Sequence, residues 1–337
     1  AHASTEEGDQ QLRAAIIPLD MDGTIYMGSN LFPFTIPFLE RLGKMGITYS
    51  FLTNNPSKSI DAYLQKLGHM GIHATEKEIY NTTIATIDYI HAHYPQAKKL
   101  FLLGTPSMTE QFVKAGFIST ADDPDDVPDI VVAAFDMTLT YSRACRAAWW
   151  IKQGLPYIAT NPDLVCPTNE RTILVDCGSI CRMLESAAGR KPDITLGKPD
   201  PNMLVGIQQQ MGLRPEEICM VGDRIYTDIA MAHNAGAVGC LVLSGETTIE
   251  VAQQAERQPD IIARDIEQLG DCTREAERGV VPMLLLPYAL DNKNTDKPKS
   301  EDYESKYHPV GLPHAGQPAP RSPACRGARI RSDGGEE

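Results

Sequence analysis

Three short apolar runs in this chain end directly in polar clusters, and that repeated pattern limits the fold more than any other feature. Ile16–Leu19 leads into Asp20–Thr24, Thr48–Leu52 into Thr53–Asn55, and Ile218–Val221 into Gly222 and Asp223. Gly239–Leu243 reads as a fourth strand of the same texture. Between these runs, Leu39–Gly43, Ile60–Leu67, Met203–Met211 and Ile229–Ala235 carry apolar residues at three- and four-residue spacing, the stripe of a helix packed on a sheet. Apolar strands alternating with amphipathic helices predict an α/β fold with a mainly parallel sheet. In such a sheet ligands bind beyond the carboxyl ends of the strands. Clusters far apart in sequence then meet at one place.

The middle of the chain repeats the alternation, with candidate strands at Lys99–Leu103, Ile130–Ala134 and Tyr157–Ala159. We read residues 79–190 as a second α/β domain inserted into the first, whose two parts are 12–78 and 191–269. A length of 337 residues suits two domains. Asp122–Asp129 is a Pro- and Asp-rich loop within the insert. From Asp291 onward the chain is rich in Pro, Gly, Lys and Ser, so 270–337 is expected to be a disordered tail without an assigned role.

Thirty-one basic against 44 acidic residues give a net charge of −13, which argues against a nucleic-acid polymer or an anionic membrane as partner. It leaves room for a small phosphorylated molecule held at one local site. The apolar stretch Val280–Leu290 is interrupted by Pro282 and Pro287, well short of the roughly 20 residues of a membrane span. Ala1–Gln11 is polar and acidic, unlike a signal peptide, and the expected location is cytoplasmic. The eight cysteines contain no CxxC pair, and Cys177 and Cys181 read as two small buried residues on one helix face. His69, His73, His91 and His93 show no ligand spacing.

Chemistry concentrates in four segments. In Asp20-Met21-Asp22-Gly23-Thr24, two carboxylates at i and i+2 leave a strand beside a turn-forming glycine. Such a pair serves as a hard-cation site, as an acid–base pair, or as a nucleophile beside an acid; the bland alternative is a solvated turn. Thr53-Asn54-Asn55 offers a hydroxyl and successive backbone N–H groups, a phosphate cradle. Lys198, in Gly197-Lys198-Pro199-Asp200-Pro201, precedes a helix start, and Gly222–Asp228 adds Asp223 and Asp228 after a strand.

These four segments, in this order, resemble the motifs of the haloacid dehalogenase superfamily of phosphohydrolases. Thirty-three positions separate Asp20 from Thr53, while 145 separate Thr53 from Lys198. A large insert at the second place resembles the type II cap of the NagD-like group, which includes p-nitrophenyl phosphatase, phosphoglycolate phosphatase and pyridoxal phosphatase homologues. Thr160-Asn161-Pro162-Asp163 and Gly189-Arg190-Lys191-Pro192 add to the likeness, which spans Leu12 to Leu269.

The resemblance implies a Rossmann-like core with an α/β cap, and a Mg2+-dependent phosphomonoester hydrolase acting on small phosphorylated metabolites through an aspartyl-phosphate intermediate. In that reading Asp20 is the nucleophile and Asp22 the general acid and base. Mg2+ is held by the Asp20 carboxylate, the Asp22 backbone carbonyl and Asp223. Thr53, Asn54, Asn55 and Lys198 bind the transferring phosphoryl group, and Asp228 holds Lys198 or a metal-bound water. Asp176, Cys177, Gly178 and Ser179 are candidates for reading the leaving group; the alternative is that Asp176 or Ser179 caps a helix. Asn161 and Asp163 read as turn-fixing residues, and Trp149 and Trp150 as packing rather than stacking on a ligand. Arg224 reads equally as a phosphate contact or a carboxylate partner. A phosphotransferase on the same core, or a non-catalytic phosphate-binding module, stays open. So does the oligomeric state, for which related capped phosphatases suggest a homodimer through the cap.

Overall fold

The computed structural model describes residues 14–166 and 171–277, with side chains described to residue 271. The chain enters through β1 (Ile16–Asp20), makes a hairpin of β2 (Tyr26–Met27) and β3 (Asn30–Leu31), and continues with β4 (Thr48–Thr53) and β5 (Ile79–Asn81). A second set follows: β6 (Lys99–Leu103), β7 (Ile118–Ser119), β8 (Ile130–Ala133) and β9 (Tyr157–Ala159). The small hairpin β10 (Val165–Cys166) and β11 (Leu174–Val175) precedes β12 (Ile194–Thr195). The chain then returns through β13 (Cys219–Gly222), β14 (Val238–Val242) and β15 (Ile261–Ala263).

Two separate parallel sheets result. The first has the order β15-β14-β13-β1-β4-β5, the second β12-β9-β8-β6-β7. In the core sheet alternate residues of each strand feed opposite layers. Ile17, Leu19, Phe51, Val221 and Val242 pack with Phe38, Leu42 and Leu67 on one face, whereas Ile16, Leu52 and Met220 pack with Met203, Leu204 and Met231 on the other. Because both faces are covered by helices, the strands are apolar throughout, which is why they were legible as uninterrupted runs.

Strand β1 lies where the order reverses, with β4 on one side and β13 on the other. Leu19 is in register with Val221 and with Phe51, so the carboxyl ends of β1, β4 and β13 finish level. Asp20, Thr53 and Asp223 are thereby brought to the same rim, at the crevice that open α/β sheets use for ligands.

Several boundaries differ from the sequence reading. Strand β5 pairs in the core sheet although it falls in the expected insert, and β12 pairs in the insert sheet although it falls in the expected core. Short strands flanked by their own crossover carry too few apolar residues to reveal which sheet they join. The stretch read as one helix from Ile229 begins as a π-helical turn, Ile225–Ile229, before the α-helix Ala230–Asn234. The last helix runs from Ile266 to Glu277, past the expected start of the tail at 270; the rest of that tail lies outside the described residues. Trp150 is buried in the cap core while Trp149, its neighbour on the helix Tyr141–Lys152, is 49% exposed. Cys177 and Cys181 are both buried with their sulfurs 3.9 Å apart. Among the described residues no helix is long and apolar enough to cross a membrane.

Candidate active site

Asp20 ends β1 and points its carboxylate at the Lys198 ammonium, which also donates to Asp228 Oδ1 at 2.8 Å. Lys198 is only 5% exposed. Burial by itself would pull its ammonium down, but the Asp20 and Asp228 carboxylates outweigh that and hold it above the ordinary lysine value. The π-helical turn after β13 bends Asp228 back toward its own strand, so that Oδ2 accepts the Arg224 N–H at 3.1 Å while Oδ1 faces the lysine. Such turns recur where a helix must aim a side chain.

Asp223 is 2% exposed, and its Oδ2 accepts the Glu246 N–H at 2.6 Å. Its other oxygen, Oδ1, is buried without a hydrogen-bond partner. Burial, reinforced by the nearby Asp20 and Asp228 carboxylates, raises the Asp223 pKa to about 7, and burial with Asp20 raises that of Asp228 to about 6 against the pull of Lys198. Asp20, Asp223 and Asp228 each offer an oxygen within 4.8 Å of the others. Three carboxylates so close, one with a buried oxygen lacking any partner, suit a hard divalent cation. Their oxygen-only donor set fits Mg2+ as the resemblance implies.

The carboxylates approach one another because glycines leave space. A Cβ on Gly23 would stand 2.4 Å from Asp223 Oδ2, and one on Gly245 2.0 Å from the same atom. Gly23 also has φ of +83°, which a side chain would strain. Beyond β14, Ser244 Oγ donates to the Gly23 carbonyl at 2.7 Å, and Arg224 pairs with Glu246 at 2.8 Å. Arg224 thus has a carboxylate partner. The Ser244–Glu246 loop was missed in the sequence, although Ser-Gly directly after an apolar run is the same signal that marked the other strand ends.

Asp22 is exposed, with its Oδ1 receiving the Gly28 N–H at 3.3 Å, and its carboxylate lies outside the three-carboxylate cluster. It acts electrostatically on Tyr26 and Lys66, whose ammonium stands 3.9 Å from the centroid of the Tyr26 ring. Burial lowers the Lys66 pKa, against the pull of Asp22. Neither Tyr26 nor Lys66 carries a motif signal in the sequence.

Thr53 ends β4, and its hydroxyl accepts the Asn55 N–H at 3.2 Å, curling the chain into a loop beside Asp20. The Asn54 and Asn55 side chains hold the structure around that loop. Asn55 Oδ1 takes both the N–H and hydroxyl of Ser57, and Asn54 brackets the Lys198 peptide. From the cap, Cys166 brings its sulfur 3.8 Å from Asn55 Nδ2. Cys166 is a cap residue that the sequence reading passed over, and a lone cysteine on a two-residue strand gives no signal of its own.

Among the four candidates for reading the leaving group, the structure gives Asp176 the helix-capping role that was its alternative. Asp176 is the N-cap of the helix Cys177–Ala188; its Oδ1 accepts the Cys177 N–H at 2.5 Å and the Asn161 side-chain amide at 2.9 Å. Burial raises its pKa to about 6. Cys177 is fully buried with its thiol on the Ala133 carbonyl, and Ser179 Oγ donates to the Leu164 carbonyl at 2.7 Å. A Cβ on Gly178 would meet the Pro162 carbonyl oxygen at 2.2 Å. Asp176, through Asn161, and the Gly178 N–H, on the Asp163 carbonyl, fasten the helix start to the 160–163 turn.

Comparison with known proteins fits this arrangement. Residues 17–118 match the haloacid dehalogenase-like hydrolase family, and residues 195–269 match the HAD-hydrolase-like family. An acid sugar phosphatase of Staphylococcus aureus is 31% identical over 259 residues, 77% of this chain and 97% of that protein. The crystal structure of a 4-nitrophenylphosphatase from Thermotoga maritima is 36% identical, covers 77% of this chain and 98% of that one, and superposes with a TM-score of 0.72. A glycerol phosphate phosphatase from Mycobacterium tuberculosis, crystallised with magnesium, is 28% identical and superposes with a TM-score of 0.69 over 76% of this chain and 77% of that one.

Proposed function

The chain belongs to the haloacid dehalogenase-like hydrolases, in their NagD-like phosphatase group, and from that premise we propose that it is a Mg2+-dependent hydrolase of small phosphomonoesters working through an aspartyl phosphate. The observation that carries the reading is the grouping of Asp20, Asp223, Asp228 and Lys198 at the rim where β1, β4 and β13 end level. A half-buried nucleophile beside a lysine and an unpartnered carboxylate oxygen has little use in a protein that merely binds phosphate.

When bound, Mg2+ would be held by Asp20 and Asp223 with the Asp22 carbonyl, and would offset repulsion between the anionic nucleophile and a dianionic ester. The chain's own groups do the rest. Asp20 attacks phosphorus, and its O–P bond forms as the ester O–P bond breaks. Asp22, which is exposed, donates a proton to the departing alkoxide and afterwards takes one from the water that releases phosphate from Asp20. Lys198, the Thr53 hydroxyl and the Asn54 N–H meet the charge that spreads over the equatorial oxygens. Asp228 keeps the lysine on station. The relatives' named substrates, a sugar phosphate, a nitrophenyl ester and a glycerol phosphate, support a small phosphorylated metabolite as the substrate class.

The test is phosphate release from p-nitrophenyl phosphate and a panel of small phosphomonoesters, with Mg2+ or EDTA, for the parent and Asp20→Asn. We expect metal-dependent release in the parent and none in the variant. Folded, magnesium-supplied parent that releases nothing from any ester would sink the reading.

A further inference from the structure

Lys198 belongs to the core site by its ammonium but hangs from the cap by its backbone. Strand β12 ends at Thr195, still paired with β9 in the cap sheet, and Leu196 donates its N–H to the Ala159 carbonyl at 2.9 Å. Two residues later comes the lysine. Any motion of the cap sheet is therefore transmitted almost directly to the Lys198 peptide, unless something on the core side holds it.

That hold is the Asn54 side chain. Its Oδ1 accepts the Lys198 N–H at 2.8 Å and its Nδ2 donates to the Lys198 carbonyl at 3.2 Å, so one amide closes around the backbone of one residue. The remaining N–H of Nδ2 goes to Asp163 Oδ2 of the cap at 2.9 Å. A carboxylate accepts and never donates when ionised, so Asp163 admits only the amide orientation with Nδ2 on its side. This is also the only orientation that matches the Lys198 peptide. Gly197, with φ of +75°, threads the gap: a Cβ there would come within 3.0 Å of Asn54 Oδ1 and 3.1 Å of the Thr160 carbonyl oxygen.

Asp163 is itself anchored in the cap. Its Oδ2 also accepts from Asn161 Nδ2 at 2.9 Å, its backbone carbonyl accepts the Gly178 N–H at 2.8 Å, and Asn161 reaches on to Asp176. A continuous chain of hydrogen bonds thus runs from a cap helix start to the lysine's peptide.

We infer that Asp163 is a positioning residue: by orienting Asn54 only when the cap is seated, it makes cap seating and placement of the catalytic lysine a single event. The inference rests on the phosphatase reading above. It assigns a purpose to a carboxylate that neither touches the phosphoryl group nor belongs to the metal cluster.

The experiment is steady-state hydrolysis of p-nitrophenyl phosphate at saturating Mg2+ by the full chain and by Asp163→Ala, Asp163→Asn, Asn54→Ala and the Asn54→Ala/Asp163→Ala double variant. Misplacing a reacting group costs up to about 100-fold, so Asp163→Ala should lose roughly 10- to 100-fold in kcat with little change in KM. Asp163→Asn retains a carbonyl acceptor and should recover part of that loss. Because Asp163 acts through Asn54, its removal should cost nothing further in the Asn54→Ala background. Both tryptophans of the chain, Trp149 and Trp150, lie in one cap helix, so their fluorescence on heating reports whether each variant's cap is folded. If Asp163→Ala fails that check, Asp163→Asn against Asn54→Ala carries the same comparison. Parent-like kcat in a folded Asp163 variant, or losses that multiply in the double variant, would overturn the inference while the phosphatase reading stands. An inactive parent would overturn both.

Discussion

The core sheet and the cap sheet are both open and parallel, both reverse their strand order once, and both set an aspartate just beyond a central strand. In the cap that residue is Asp136, after β8. Its Oδ1 accepts the N–H and hydroxyl of Thr138, at 2.8 and 2.6 Å, and its Oδ2 accepts from Arg143 at 2.9 Å. Arg143 spends its other nitrogen on the carbonyls of Leu102 and Gly104, at 2.8 and 3.3 Å. In the core the corresponding residue is Asp223, with an unpartnered oxygen and two more carboxylates close by. The same topological position is self-sufficient in one sheet and left electrostatically incomplete in the other. Topology locates a crevice, and unresolved charge is what makes it a site.

The sharpest way to break this comparison is to remove the cation from each place. Lys198→Met should lower turnover of p-nitrophenyl phosphate by roughly 100- to 1,000-fold, the scale of losing one electrostatic contact to the transition state. Arg143→Met should leave turnover per folded molecule near the parent's, while urea unfolding shows a loss of about 3–5 kcal/mol from stranding the buried Asp136. Comparable losses of turnover from both would erase the distinction.

Removing the carboxylate should give opposite signs. Asp223→Asn relieves crowding and should raise the metal-free melting temperature by a few degrees while abolishing the shift produced by Mg2+. Asp136→Asn leaves Arg143 without its ion pair and should lower the melting temperature.

Proton competition provides a subtler distinction. Asp223, the buried carboxylate proposed to hold Mg2+, has its folded pKa raised to about 7 by burial and by the Asp20 and Asp228 carboxylates, so metal-free protein retains a proton there in mild acid. Mg2+ must displace it, and its stabilising effect should therefore grow from pH 5.5 to 8 and then level off, as followed by thermal unfolding at fixed Mg2+. A shift independent of pH would argue against this ligand.

The smallest expected effect lies in the cap. Asp176 has its folded pKa raised to about 6 above the ordinary carboxylate value, so its protonated form is favoured on folding. Stability from this group is present at low pH and is lost as pH rises through about 6. Asp176→Asn keeps a capping oxygen without the charge. Its melting temperature relative to the parent should rise by a degree or two between pH 4 and 7 and stay constant above.

How much was legible in the sequence follows from which interactions are local. The runs ending at Asp20, Thr53 and Asp223 declared both strands and site because burial on two faces makes a strand apolar throughout, and its end is marked by abrupt polarity. The domain boundaries at 79 and 190 leave β5 and β12 on the wrong sides because pairing of three or two residues is decided by long-range register. Asp176 illustrates the harder limit. An acidic residue before a helix reads equally as a ligand contact and as an N-cap, and only its bonds to Cys177 and Asn161 decide between them. Nothing short of three dimensions joins Asn54, Asp163 and Lys198, which are more than 100 positions apart in all but one pairing.

Both chain crossings between the sheets pass the same residue. Thr82, just after β5, donates its hydroxyl to the Asn54 carbonyl at 3.0 Å, and Gly197, just after β12, slides past the Asn54 side chain. The cap is consequently not a detachable module with inert joints. A chimaera that exchanged caps between relatives at these crossings would have to transplant the seams together with their shared asparagine. A graft that preserved every residue touching substrate could still fail at the stitching.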